Sequence, residues 1–246
     1  FGVCTIATSA QTSPTIMAIG DSITDGVDYT GSSHAGFRDP VSALLEQDGY
    51  AFTYVGVADD NPSQQLLSSG ETHHNGYGGF NIEDITANLN GVADPQGGGA
   101  ANLGGYWLTG GHHTGRSAVY PTYILLHIGT NSIRQQSQTV DQDYVKLVQE
   151  IHSLTPGTVI LIAGIIPIAN DAGFLKTITK FDKYLATLPS KYYYCKYVDM
   201  LHPFLNPDGT ANASLLGPDY IHPVLAGYQV MAAQWASKLE SLSAPK

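Results

Sequence analysis

Thr15-Ile16-Met17-Ala18-Ile19-Gly20-Asp21-Ser22-Ile23-Thr24 is a short apolar run, long enough for one buried strand, that closes on Gly-Asp-Ser. A strand ending this way projects a hydroxyl from its carboxyl end, the edge at which open α/β sheets bind ligands. Ser22 is then placed for chemistry, provided that the chain also supplies a base, an acid to orient it and donors for an oxyanion. Without them, Ser after Asp is ordinary turn chemistry, with side chains bonding nearby backbone.

Residues 121–128 form the clearest strand: Tyr123-Ile124-Leu125-Leu126-His127-Ile128 is so nearly all apolar that it suits a central parallel strand covered on both faces. It runs into Gly129-Thr130-Asn131, so Asn131 stands on the same edge as Ser22, unless its amide only bonds its own turn. Residues 51–57, 159–166 and 193–198 read as further strands. Helical spacing marks Val41, Leu44 and Leu45 between Pro40 and Gly49, and Ile82, Ile85 and Leu89 behind a capping Asn81. It recurs from Val140 to Leu154, from Phe174 to Leu188, and from Leu225 through Tyr228, Met231 and Trp235 to Leu239, the last helix being started by Pro223. Residues 25–36 and 58–77 are polar and aperiodic and read as loops. Alternating strands and helices without repeats predict one doubly wound parallel sheet. Residues 1–246 thus read as a single domain, with an N-terminal extension at 1–14 and a Gly-rich insertion at 91–117.

Lys and Arg total 11 against 21 Asp and Glu, a net charge of −10 that disfavours nucleic acid and anionic membrane surfaces as partners. No apolar run reaches the length of about 18 residues that a membrane span needs. The chain starts at Phe1 without a basic n-region or full h-region, so a secretion signal is absent or already removed. Low charge, abundant Gly, Ser, Thr and Tyr, and an even cysteine count suit an extracellular protein. Cys4 and Cys195 are expected to pair, the alternative being two buried thiols. Asn212-Ala213-Ser214 is a lone glycosylation sequon. The doublets His73-His74 and His112-His113 lack a metal-ligand pattern, because neighbours on an extended segment point to opposite sides. No metal or cofactor is expected.

Gly78-Gly79-Phe80 lies just ahead of the helix behind Asn81, where backbone N–H groups are available to an anion; glycine there could equally serve to turn the chain. Trp107, in the Gly-rich insertion, is a candidate for a binding wall or part of a solvated excursion. In Gly217-Pro218-Asp219-Tyr220-Ile221-His222-Pro223 the last proline keeps His222 out of helical geometry. Asp219 and His222 therefore share a tight loop that brings carboxylate and imidazole close. Asp199 and Asp25 are fallback acids.

Four separated stretches in this order resemble the SGNH-hydrolase superfamily, also called the GDSL-type esterases: Gly20-Asp21-Ser22, Gly79, Gly129-Thr130-Asn131 and Asp219-x-x-His222. The resemblance spans residues 16–239. It implies a three-layer α/β/α sandwich around a five-stranded parallel sheet, flavodoxin-like in arrangement. It further implies Ser22 as nucleophile, His222 as base and Asp219 as its orienter, with the Ser22 and Gly79 amides and the Asn131 side chain as oxyanion hole. Gly-Tyr-Gly-Gly-Phe, Leu-His-Ile-Gly-Thr-Asn and Ile-His-Pro-x-x-x-Gly-Tyr are most similar to carbohydrate esterase family 3, whose members deacetylate xylan-type sugars. That likeness implies a secreted esterase for short acyl groups on carbohydrate, with Asp21, Tyr77 and Trp107 as candidate substrate contacts. It also raises a structural calcium, for which the sequence shows no matching ligands. Ser132 departs from the pattern, standing where Asp usually follows Asn. A lipase, thioesterase or arylesterase on the same scaffold, and a sugar-binding module that keeps the fold, are the alternatives. The module predicts loss of triad or oxyanion residues, yet all are present.

Overall fold

The computed structural model describes residues 13–27, 35–89, 106–110 and 117–243. In chain order these form β1 (Thr15–Gly20), α1 (Ser22–Asp25), α2 (Arg38–Gln47), β2 (Thr53–Tyr54), α3 (Gln64–Ser69), β3 (Asn75–Gly76) and α4 (Ile82–Leu89). There follow β4 (Tyr123–His127), α5 (Thr130–Arg134), α6 (Val140–Leu154), β5 (Val159–Ala163), α7 (Ala172–Leu185), β6 (Cys195–Val198) and α8 (Leu225–Ser243).

All strand pairs are parallel, in the order β2-β1-β4-β5-β6, with β3 also on β1. β2 pairs with Thr15 and Ile16 and β3 with Ile19 and Gly20, whereas β4 runs beside Ile16 through Gly20. The expected five strand positions are therefore present, one of them shared by two short pieces.

Successive residues of the central strands serve opposite layers, as the pleat requires. Met17, Ile19, Ile124, Leu126, Ile160 and Ile162 pack with Ile85 of α4, Tyr144 and Leu147 of α6 and Phe181 of α7. Ile16, Ala18, Leu125, Leu161 and Ala163 pack with Val41 and Leu45 of α2 and Tyr228, Met231 and Trp235 of α8. This double coverage is why β4 and β5 read as nearly continuous apolar runs. Truncating one of these fully buried leucines to alanine costs about 2–5 kcal/mol.

Three expectations change locally. The 58–77 stretch contains α3, which Ser63 caps through its hydroxyl on the Leu66 amide (3.1 Å) and Gly70 ends in the left-handed region at φ 78°. Pro223 does not start the last helix: it bridges antiparallel to Leu216, and α8 begins at Leu225. Asn81 does not cap α4 with its side chain. Its backbone N–H instead donates to the Asp84 carboxylate (2.7 Å). Cys195 is a free, buried thiol among the described residues, pushed up to about 12 by burial. Cys4, and with it the expected pairing, lies outside the described residues.

Candidate active site

At the end of β1 the chain turns at once into α1, so Ser22 is the first residue of a one-turn helix. Close backbone approach makes this possible. A Cβ on Gly20 would stand 2.2 Å from both the His127 carbonyl and the Thr24 hydroxyl, and one on Gly76 would stand 2.2 Å from the Asp25 amide nitrogen. Asp21 caps the turn, its carboxylate accepting from the Ile23 amide (3.0 Å), and its carbonyl accepts from Thr24 and Asp25. The Ser22 amide has no acceptor among the described residues. Gly26, at φ 100°, closes the turn, and the buried Arg38 guanidinium donates to the Asp25 carbonyl (3.3 Å).

Asp21 is fully buried, which corrects its expected role as a substrate contact. Burial raises its carboxyl to about 6, against the opposing pull of the Ile23 amide and of positive charge on His222.

The partner of Ser22 comes from 200 residues away: the Ser22 hydroxyl and His222 Nε2 lie 2.7 Å apart. His222 Nδ1 lies 2.5 Å from Asp219 Oδ2, while Asp219 Oδ1 accepts the backbone amides of Ile221 and His222 at 3.1 Å each. Both Asp219 oxygens are thus engaged. Burial works to raise this carboxyl, but the His222 hydrogen bond, the two amides and the His222 charge outweigh it, and it titrates below the ordinary carboxylate range. An ionised Asp219 requires the proton on Nδ1, which leaves the Nε2 lone pair facing the serine hydroxyl. The fallback acids are elsewhere: Asp199 bonds His202 (2.9 Å) and Asp25 takes the Asn61 amide (3.1 Å).

Gly20 pairs with His127 on one side and Gly76 on the other, so Ser22, Asn131 and Gly79 leave three neighbouring strand ends. Gly79 adopts φ 82°, a conformation that favours glycine, and its amide has no acceptor among the described residues. Asn131 Nδ2 donates to the Phe80 carbonyl (3.0 Å), which ties the amide to the residue after Gly79 and leaves its second N–H. Ser132 accepts the Ile82 amide at the start of α4 (3.3 Å), so the departure from the superfamily pattern still braces this corner. Tyr77, half-buried, stacks on Trp107 at 5.1 Å and on Phe80 at 5.0 Å. Trp107 is only 1% exposed and belongs to the apolar layer, which corrects its expected place on a binding wall.

The structure brings Asp25, Asp60 and His74 together, a grouping to test against the calcium that the resemblance raised. The Gly76 amide donates to His74 Nδ1 (3.1 Å), so the neutral ring carries its proton on Nε2, which donates to Asp60. No lone pair is left for a cation, and calcium prefers six to eight oxygen ligands. These residues do not fit a metal. Burial, first, and then Arg38 lower His74 to about 3, in keeping with a neutral structural imidazole. His112 and His113 lie outside the described residues.

A profile of the GDSL-like lipase/acylhydrolase family matches residues 18–230. No curated protein matches the sequence. Among solved structures, the chain is similar to a family 3 carbohydrate esterase from Clostridium thermocellum (TM-score 0.67, 19% identity, covering 94% of this chain and 99% of that one). A carbohydrate esterase family 3 protein from Talaromyces cellulolyticus gives TM-score 0.64 at 18% identity, with 93% and 97% covered. The acetylxylan esterase Axe2 from Geobacillus stearothermophilus gives 0.61 at 16%, with 92% and 94% covered. At these identities the likeness concerns the fold.

Proposed function

Since the chain belongs to the GDSL-like lipase/acylhydrolase family and is a carboxylic ester hydrolase, we propose that it removes short acyl groups, acetyl above all, from carbohydrates through Ser22, His222 and Asp219. The observation that carries this reading is the hydrogen-bonded chain from the Ser22 hydroxyl through His222 to Asp219 at 2.7 and 2.5 Å.

In this reading the Ser22 oxygen attacks the ester carbonyl carbon as its proton passes to His222 Nε2. The resulting oxyanion is held by the Ser22 and Gly79 amides and the remaining Asn131 N–H, donors that are fixed before the reaction begins. Collapse of the adduct breaks the bond to the sugar oxygen, which leaves with the proton from His222, and Ser22 keeps the acyl group. Water, deprotonated by His222, then attacks the acyl-enzyme and releases the carboxylic acid. Asp219 stays ionised throughout and stabilises the imidazolium.

The carbohydrate part of the reading draws on the solved relatives, which are esterases of carbohydrates. The test compares acetate release from acetylated xylan with hydrolysis of acetyl, butyryl and octanoyl esters, for the unmodified protein and for Ser22→Ala. The reading requires acetyl preference, acetate from the polysaccharide, and loss of nearly all turnover in a folded Ser22→Ala protein. Octanoyl preference would move the assignment to a lipase or thioesterase, and full activity of Ser22→Ala would refute the site.

A further inference from the structure

Tyr220 sits between Asp219 and His222 with φ 62°, in the left-handed region. Bulky side chains are outliers there, and glycine or asparagine would fit the backbone better. Hydrogen bonds impose this conformation: Tyr220 N donates to the Gly217 carbonyl (2.9 Å), Ala169 N donates to the Tyr220 carbonyl (3.0 Å), and Gly217 N donates to the His222 carbonyl (2.7 Å). The ring contributes nothing comparable to the fold. It is 43% exposed and belongs to neither apolar layer, whereas the adjacent Ile221 packs against the first. Among the described residues no other ring stacks on it. A residue disfavoured by its own backbone and unused by the core points to a role in what it presents to solvent.

We infer that Tyr220, carried on the loop that holds Asp219 and His222, is the platform on which the sugar ring carrying the ester rests, a specificity contact; the inference builds on the carbohydrate reading above. A pyranose has an apolar C–H face and a rim of hydroxyls, and an exposed tyrosine offers a flat apolar face with a hydroxyl at its edge. The tight turn fixes the Tyr220 backbone, so only the side-chain torsions lose freedom when a ligand stacks on the ring.

The experiment measures kcat and KM separately for ethyl acetate, an acetylated xylo-oligosaccharide and an aliphatic octanoate ester, in the unmodified protein and in Tyr220→Phe, Tyr220→Gly and Tyr220→Asn. Glycine and asparagine both accept the left-handed backbone, and asparagine does so without the added freedom of glycine. Both should be at least as heat-stable as the unmodified protein. Their kcat/KM on the acetylated oligosaccharide should fall by about tenfold, mostly through KM, the size of one aromatic stacking contact. The loss should be several times greater than on ethyl acetate, and Tyr220→Phe should recover most of it. Equal losses on ethyl acetate and oligosaccharide would mean that Tyr220 acts through His222, and a larger loss on octanoate would make it an acyl-chain contact; either overturns the inference. If the unmodified protein deacetylates the oligosaccharide and the Gly and Asn variants do so equally well, only the platform falls. If it cleaves ethyl acetate but no acetylated sugar, the carbohydrate reading falls and takes the platform with it.

Discussion

Replacing Asp219 with asparagine separates the electrostatic role of this residue from its role in holding the loop. The carboxylate does two things: Oδ2 accepts the hydrogen bond from His222 Nδ1 at 2.5 Å, and Oδ1 accepts the Ile221 and His222 amides at 3.1 Å. An asparagine oxygen can still accept the two amides, so the loop and the melting temperature should change little. Its NH₂ group then faces Nδ1, which must become an acceptor, and the ring proton moves to Nε2, where it points at the Ser22 hydroxyl. His222 is then in the wrong tautomer to act as base. A tautomer reversal of this kind costs about 10⁴ in kcat, or about 5.5 kcal/mol of barrier. Asp219→Ala removes the amide acceptors as well, so it should lose a further 1–2 kcal/mol or so of stability, as the loss of a capping side chain does. Steady-state hydrolysis of ethyl acetate with thermal melts of the three proteins gives both numbers. If Asp219→Asn kept kcat within tenfold of the unmodified protein at unchanged melting temperature, the assignment of Asp219 as orienter would be refuted.

Asn131→Ala should lower kcat by about 10²–10³ with little change in KM if, as proposed, it removes one donor to the oxyanion; a change confined to melting temperature would make Asn131 a brace for the Phe80 carbonyl alone. Asp21→Asn keeps the cap on Ile23 while removing a buried carboxyl whose pKa is raised to about 6, so it should stabilise the protein at pH 8 by up to about 3 kcal/mol. The gain should vanish as pH falls from 6 to 4, where Asp21 is protonated in any case, and denaturant titrations at pH 5 and pH 8 would show it. Acid should also unfold the chain early: burial lowers His127 to about 4, and burial together with Arg38 lowers His74 to about 3, so the stability that both confer above pH 6.5 drains away as pH falls through those values. The buried or half-buried carboxyls of Asp21, Asp25, Glu71 and Asp182, all raised first by desolvation, oppose this trend, but the two histidines carry the larger shifts. A melting temperature that stayed flat from pH 7 to pH 3.5 would contradict it, and His127→Leu should shrink the drop.

Much of the architecture is written locally. β4 and β5 are legible as central strands because both faces are covered, and so nearly every residue of the run is apolar. The Asp219–His222 pair is legible because three-residue spacing ahead of a proline leaves the chain few other conformations. α3 escapes the reading: Ser63 and Gly70 mark its ends, but a six-residue helix that buries only Leu66 shows no helical period. Distant contacts are another matter. Nothing near Ser22 indicates which of nine histidines will reach it, and the one that does is 200 residues on. The burial of Asp21 under α1, the stacking of Trp107 into the core and the division of one sheet edge between β2 and β3 likewise depend on what packs from elsewhere. The same holds for the His74 tautomer, set by the Gly76 amide and Asp60, and for the exposure of Tyr220 on the loop that carries the base. Capping, turn and pleat preferences act over a few residues and so leave a mark in the order of amino acids. Burial and long-range hydrogen bonds arise only when the layers close, because they are properties of the neighbours that the fold delivers.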